Sequence, residues 1–185
     1  LKTQPFAIKK ENEKITLDLS AIAKGFAVDQ IAQLLESYNL HNYLVEIGGE
    51  MRAKGEKPGR KPWIIAIEKP STRERSIHQL ISIGDNGMAT SGDYRNYFEK
   101  DGIRYSHTLN PQTGHPITHN LASVSVIMNN SMEADAWATA FSVLGAEKGF
   151  QLAVSEKIAV YFILRTKEEF EVKVSPQFEK FLIKQ

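Results

Sequence analysis

The sequence predicts an α+β fold in which helices pack against mixed or antiparallel sheets. Short apolar runs bounded by Gly, Pro, Asn and Asp recur along the chain, as strands and turns do. Two longer segments, 19–38 and 131–145, repeat apolar residues at helical spacing. Since no repeat or low-complexity linker divides the 185 residues, we expect one domain over 1–185.

Composition and charge restrict the class of function. With 42% hydrophobic and 24% charged residues, the chain has the composition of a globular domain with a buried core. The 23 basic and 22 acidic residues nearly balance, so nothing in the composition supports nucleic-acid or membrane-surface binding. The absence of cysteine excludes disulfides, thiolate metal sites and a cysteine nucleophile. No apolar run is long enough to span a bilayer.

The strongest predicted helix runs from Leu19 to Tyr38, with Asp18 or Ser20 as its cap. Gly25 interrupts this helix at a cost of about 1 kcal/mol relative to Ala. Either a close approach to the backbone or tight helix-on-sheet packing would explain the glycine. A second helix is predicted to end at Gly145, with another helical piece over 147–157 and a short amphipathic helix over 176–184.

Strands are predicted where apolar or alternating runs lie between turn residues. In chain order they are 6–8, 14–18, 42–47, 62–68, 77–83, 103–109, 121–128, 158–165 and 170–174. Residues 52–61 are expected to form a polar loop. Gly48 and Gly49 suit either close approach of a ligand or a plain turn. Residues 88–94 either cradle a phosphate through backbone N–H groups or begin a helix.

Asp135 and Thr139 lie one helical turn apart on a helix that is apolar on nearly all sides. A buried carboxylate needs a cation or several donors, because an unpaired buried charge costs several kcal/mol. Oxygen-bound Mg²⁺ would satisfy both groups. The alternatives are a cap or salt bridge for Asp135 and a hydrogen bond from Thr139 to a carbonyl. His107 ends a strand before a turn-rich loop and is either structural or catalytic.

Five segments, in the same order, closely resemble the ApbE family of FAD:protein FMN transferases. They are residues 18–29, 45–50, 89–95, 107–114 and 134–139. The resemblance implies an ApbE-like, T-fold-related α+β fold. It also covers only the C-terminal portion of the family, so we expect an N-terminal segment to precede Leu1. In the family, that segment carries a lipidated cysteine and further flavin contacts.

The resemblance implies a set of ligand-binding residues. Mg²⁺ would be held by the carbonyl of Ala21 and the side chains of Asp135 and Thr139. FAD, as substrate, would contact Asp18, Lys24 and Leu109, with Lys24 matching pyrophosphate charge. Further cofactor contacts are expected at Gly48, Gly49 and Ser91. His107 would be the general base, since its pKa lies near working pH.

The implied reaction is attack by a Thr or Ser hydroxyl of a target flavoprotein on the FMN phosphorus of FAD, with AMP as leaving group. The resemblance also implies a lipoprotein on the periplasmic side of the bacterial inner membrane. Two alternatives stay open: a metal-dependent FAD pyrophosphatase, and a protein that binds or traffics FAD without turnover. The family commonly has Asp where this chain has Asn110, so no carboxylate role is expected at that position.

Overall fold

An antiparallel sheet with helices on one face forms the centre of the molecule. The computed structural model describes all residues except 1, 5, 71–75, 93–96, 101–102, 107, 168 and 185. The strands are β1 (Lys2–Thr3), β2 (Phe6–Ala7), β3 (Tyr43–Ile47), β4 (Glu50–Lys54), β5 (Ile64–Glu68), β6 (Ile77–Ser82), β7 (Gly87–Gly92), β8 (Tyr97–Lys100), β9 (Ile103–Ser106), β10 (Leu121–Met128), β11 (Ala159–Arg165) and β12 (Phe170–Val174). In the described part of the chain, the α-helices are α1 (Ser20–Ser37) and α2 (Ser131–Ser155).

The main sheet has six strands in the order β12-β11-β10-β7-β4-β3. Each neighbouring pair is antiparallel. Val124 and Val126 of β10 belong to the apolar cluster that α2 covers, whereas Ile127 belongs to a cluster on the other face. The second cluster includes residues of the β5–β6 hairpin and Phe178 of the tail. The sheet is therefore the middle layer between the helices and this hairpin, and the predicted fold class is confirmed.

Helices α1 and α2 approach each other at Gly25. A Cβ at Gly25 would lie 2.4 Å from the Ser131 carbonyl oxygen and 2.7 Å from Met132 Cα. Both are backbone atoms of α2, and neither can move aside without moving the helix. The glycine therefore reflects close approach to the backbone, and its partner is a helix rather than the sheet.

Asp29 joins the same two helices. Its carboxylate is buried and accepts the Ser131 amide at 3.0 Å and the Met132 amide at 2.9 Å. Arg52 of β4 donates to the same carboxylate at 3.0 Å. A negative charge at a helix N-terminus satisfies amides that have no partner within the helix and interacts favourably with its dipole. Asp29 thus fixes the start of α2 against α1 and β4.

Four element predictions were wrong. Residues 14–18 form no strand, and Ile15 and Leu17 are exposed without a partner strand. Strand β4 begins before the predicted polar loop 52–61 and occupies its first residues. Residues 88–92 belong to strand β7 instead of beginning a helix. The tail has only a 3₁₀ turn at Glu179–Phe181, because it docks in extended form, with the Ile183 amide donating to the Leu80 carbonyl.

The predicted interruption at Gly145 is confirmed. Helix α2 continues to Ser155, but Gly145 has φ 77° and ψ 173°, outside the helical range. The ring of His119 fills the space beside the kink, where a Cβ on Gly145 would lie 2.8 Å from it. His119 Nε2 lies 2.8 Å from the Ser142 carbonyl oxygen. Among the described residues, no helix has the length and apolar character needed to cross a bilayer.

Candidate functional site

A pocket of about 970 Å³ lies where α1, the β3–β4 turn, β7 and α2 meet. Most of the side chains predicted from the sequence line it. They are Asp18, Ala21, Lys24, Gly48, Gly49, Ser91, Asp135 and Thr139. Residues from positions 18 to 142 therefore come together at one cavity.

Among the predicted site residues that the structure describes, Leu109 alone does not line the pocket. Leu109 is 55% exposed and forms a β-bridge with Pro116, whereas its neighbour Thr108 lines the pocket. His107 lies outside the described residues, so its role as general base stays a prediction. Asn110 accepts the Gln112 amide at 2.9 Å and thereby stabilises the turn that follows.

Gly25 connects α1 to Asp135, one of the residues predicted to bind the cation. Asp135 is 3% exposed, and its Oδ2 accepts the Gly25 amide at 3.0 Å. In a regular α-helix that amide would bond to the carbonyl of Ala21, four residues earlier. Asp135 thus bonds to α1 one helical turn after Ala21, and both residues line the pocket. Thr139 lies one turn further along α2 and faces the same pocket.

These oxygens fit a hard divalent cation. A carboxylate, a hydroxyl and a backbone carbonyl form the kind of donor set that suits Mg²⁺ and not a thiophilic metal. In the described ranges, no group of three or more His, Cys, Asp and Glu side chains could hold a metal. Any cation bound at this pocket would therefore depend on hydroxyl or carbonyl oxygens in addition to carboxylates.

The turn between β3 and β4 brings two glycines to the pocket. Gly48 and Gly49 have φ values of 62° and 104°, and Ile47 pairs with Glu50 across them. Positive φ at both central residues is typical of a type I′ hairpin and explains the Gly-Gly pair. The Gly49 amide donates to Glu46 Oε1 at 2.7 Å. The turn interpretation therefore accounts for both glycines, which also line the pocket.

The start of α1 differs from the predicted cap. Leu19 occupies the N-cap position and makes no side-chain cap hydrogen bond. The Asp18 carboxylate instead accepts two hydrogen bonds from Ser20, one from the amide at 2.8 Å and one from the hydroxyl. The hydrogen bond from the Ser20 hydroxyl has the larger effect on the pKa of Asp18, and the bond from the Ser20 amide has a smaller one. Both lower this pKa. Asp18 is therefore an exposed anion at the pocket edge.

Strand β7 supplies hydroxyl groups to the opposite wall. Thr90, Ser91 and Gly92 line the pocket, and the Thr90 and Ser125 hydroxyl oxygens are 2.7 Å apart. The backbone of 87–92 pairs with β10 in regular register. This pairing argues against a free loop of N–H groups around a phosphate, so any ligand contact from β7 would come mainly from side chains.

Glu50 is the main pocket residue that sequence reasoning missed as a site residue. It is 2% exposed, and its Oε2 lies 2.6 Å from Lys24 Nζ. Burial raises the pKa of Glu50, Lys24 partly offsets that rise, and the charge of Asp135 adds to it. The available signal was its position directly after the Gly-Gly turn, within the segment 45–50 that carries the family resemblance.

The raised pKa values of Glu50 and Asp135 predict that the stability of the fold decreases with rising pH. Burial also raises the pKa of Asp135, against the opposing effects of the Gly25 amide and Lys24. A carboxyl whose pKa is higher in the folded state favours folding when protonated, so stability falls as pH rises through the raised pKa values. We expect the EDTA-treated chain to lose urea resistance as the pH rises above the ordinary pKa range of carboxyl groups. The double variant Asp135→Asn, Glu50→Gln should show a weaker decline, and an unchanged slope would contradict the prediction.

Comparison with known proteins agrees with the fold. The ApbE family model matches residues 1–162. FAD:protein FMN transferase of Haemophilus influenzae is 49% identical over 174 residues, which are 94% of this chain and 50% of the relative. The Escherichia coli K12 protein of the same name is 42% identical over 176 residues, 95% of this chain and 50% of that protein.

Two solved structures have the same fold. The flavin transferase ApbE from Vibrio cholerae has a TM-score of 0.81 at 46% identity, covering 90% of this chain and 52% of that one. The ApbE protein from Thermotoga maritima has a TM-score of 0.80 at 32% identity, covering 91% and 54%. The chain spans about half the length of the curated relatives it matches. On the family match and these similarities, the chain belongs to the ApbE family.

Proposed function

We propose that the protein containing this sequence transfers FMN from FAD to a Thr or Ser hydroxyl of a target flavoprotein and releases AMP. The observation that carries this proposal is the pocket that unites Asp135, Thr139 and Ala21 with Lys24. Its volume of about 970 Å³ suits a large ligand such as a dinucleotide. The relatives named FAD:protein FMN transferase support flavin transfer as the reaction class.

The pocket residues have different roles in the proposed reaction. The Asp135 carboxylate, the Thr139 hydroxyl and the Ala21 carbonyl would hold Mg²⁺, which when bound supplies charge neutralisation at the phosphates. Lys24, with its side chain 49% exposed, offers an ammonium to a phosphate oxygen. Burial of Asp135 on α2 and its hydrogen bond to Gly25 keep the carboxylate in a fixed position.

The proposed transfer exchanges the phosphoanhydride bond of FAD for a phosphoester bond to the acceptor. The acceptor oxygen forms a bond to the FMN phosphorus while the bond from that phosphorus to the AMP oxygen breaks. The acceptor proton passes to a general base, for which His107 is the predicted residue. AMP leaves, and FMN stays joined to the target by a phosphoester. We also propose that the target flavoprotein lies on the periplasmic side of the membrane.

The test uses the full-length protein that contains this sequence, incubated with FAD, Mg²⁺ and an acceptor domain bearing a Thr target. Intact-mass spectrometry should detect one FMN added to the acceptor. Asp135→Ala should abolish the adduct, because it removes the charged oxygen donor proposed for the cation. Glu133→Ala is the matched control, since Glu133 is exposed in the first turn of the same helix and does not line the pocket.

Other outcomes distinguish the remaining hypotheses. Free FMN and AMP without an adduct would favour a pyrophosphatase in which water replaces the acceptor hydroxyl. Retention of intact FAD without cleavage would favour a carrier. Full activity of the Asp135→Ala variant would refute the assignment of the cation to Asp135.

A further inference from the structure

The pocket contains a buried carboxylate that the proposed reaction does not yet use. Glu50 is 2% exposed and lines the cavity together with Asp135. Among the described residues, its Oε2 is one of the few buried side-chain oxygens without a hydrogen-bond partner. The contact with Lys24 Nζ at 2.6 Å is an ion pair that lacks hydrogen-bond geometry. Burying a carboxylate that has only one such ion pair costs folding free energy unless another positive charge lies close to it.

The net charge of the pocket also favours a bound cation. Apart from Glu68, its described lining carries four acidic side chains, Asp18, Glu46, Glu50 and Asp135, against the single lysine Lys24. The formal charge of these groups is therefore −3 when all five are ionised. Such a surface attracts a divalent cation, and a bound cation would offset the repulsion between these carboxylates and the phosphates of an anionic dinucleotide. The wall at Glu50 is thus suited to a cation more than to a phosphate.

We propose that Glu50 is a second carboxylate ligand of the cation that Asp135, Thr139 and the Ala21 carbonyl would bind. This inference rests on the cation site of the proposed function. Lys24 Nζ lies 2.6 Å from Glu50 Oε2. A cation held by Glu50 would compete with this ion pair, and the Lys24 ammonium would then be available to a phosphate oxygen of the dinucleotide.

A simpler role for Glu50 would be to hold Lys24 in place. The two roles differ in what they predict for a metal alone, in the absence of any nucleotide. A residue that only supports Lys24 would affect metal affinity through its charge alone, so its removal should weaken metal binding no more than the loss of another nearby carboxylate does. A ligand of the cation must weaken metal binding when its charge is removed.

Titration of the full-length protein that contains this sequence with Mn²⁺, followed by the electron paramagnetic resonance signal of the free ion, tests the difference. Glu50→Gln should raise the Kd for Mn²⁺ by about tenfold or more, because one anionic oxygen ligand becomes neutral. Glu46→Gln should change the Kd less than about twofold, although it removes one negative charge from the same pocket. Asp135→Asn should show the largest loss of Mn²⁺ binding.

A second variant protects the test against a folding defect. Glu50→Asp keeps the charge and shortens the side chain, so it should bind Mn²⁺ more tightly than Glu50→Gln does. Circular dichroism establishes that each variant is folded before titration. Better Mn²⁺ binding by Glu50→Gln than by Glu50→Asp would count against ligation by the carboxylate.

The results also separate this inference from the proposed function. If Glu50→Gln binds Mn²⁺ as the wild type does while Asp135→Asn loses binding, Glu50 only supports Lys24 and the cation site stands without it. If the wild-type chain shows no saturable Mn²⁺ binding, both the role of Glu50 and the cation site itself are refuted.

Discussion

Replacing Gly25 with alanine is expected to destabilise the protein by about 3 kcal/mol and to disrupt the pocket at the same time. The added Cβ would lie 2.4 Å from the Ser131 carbonyl oxygen and 2.7 Å from Met132 Cα. Since both are backbone atoms, α1 and α2 must move apart. That movement would break the hydrogen bond from Gly25 to Asp135 and separate the Ala21 carbonyl from the other proposed cation ligands.

Urea unfolding measured by circular dichroism checks the loss of stability, and Mn²⁺ titration checks the loss of the pocket. Gly149→Ala is the matched control, because Gly149 is also inside a helix. Its Cβ would meet only side-chain atoms, the nearest being Phe162 Cε1 at 3.2 Å. Alanine has the higher helix propensity, so this control should be nearly neutral. Equal unfolding midpoints for the two variants would contradict the proposed clash.

Replacing Asp29 with alanine should cost about 3–5 kcal/mol of stability, which is typical when one partner of a buried ion pair is removed. The change leaves the amides of Ser131 and Met132 without their acceptor and Arg52 without a hydrogen-bonded partner. It also removes a negative charge from the N-terminus of α2. Asp29→Asn should cost less, because the amide oxygen still accepts one of these hydrogen bonds.

Asp85→Ala provides the comparison for Asp29. Asp85 is exposed and accepts one amide, that of Gly55, at 2.8 Å. Loss of a single exposed hydrogen bond should cost about 1 kcal/mol. Free energies of unfolding from urea denaturation should therefore differ clearly between the two variants. Similar values would mean that Asp29 does not anchor the start of α2.

The sequence predicted the elements whose own residues carry a strong periodic signal. Strands β10 and β11 are of this kind, because their apolar residues are buried on both faces of the sheet. Helix α1 also forms where helical spacing predicted it, but Phe26, Ile31 and Leu34 of that apolar pattern are exposed, whereas Val28 and Ala32 are buried.

Strand β4 was missed since it carries charged residues. Arg52 and Lys54 pair with Asp29 and Glu36 of α1, and those partners become visible only in the folded chain.

Strand β7 was missed for a different reason. Its residues are small, with weak strand propensity, because the start of α2 lies close to it. A Cβ at Gly87 would be 2.3 Å from the carbonyl carbon of Asn130. Small side chains here are therefore a consequence of packing between elements that are distant in the chain, and no local pattern encodes that neighbour.

The sequence likewise predicted some residues of the site and missed others. Helical spacing alone brought Asp135 and Thr139 to one face, and the family resemblance supplied Ala21 and Lys24. Glu50 required a fact that spacing does not contain, namely that the β3–β4 turn brings its carboxylate against Lys24. Buried acids on short strands next to a turn are therefore found only once the tertiary contacts are known.

The hydrogen bond between Gly25 and Asp135 joins residues 110 positions apart. Closing so long a loop costs conformational entropy before the contact contributes any stability. The contact between α1 and α2 therefore forms only when distant parts of the chain dock together. A ligand that binds only the finished pocket adds to folding stability, by about 2.7 kcal/mol at a concentration 100 times its Kd. Folding and ligand binding are thus linked equilibria, and the melting temperature of this chain should depend on the concentration of its ligands.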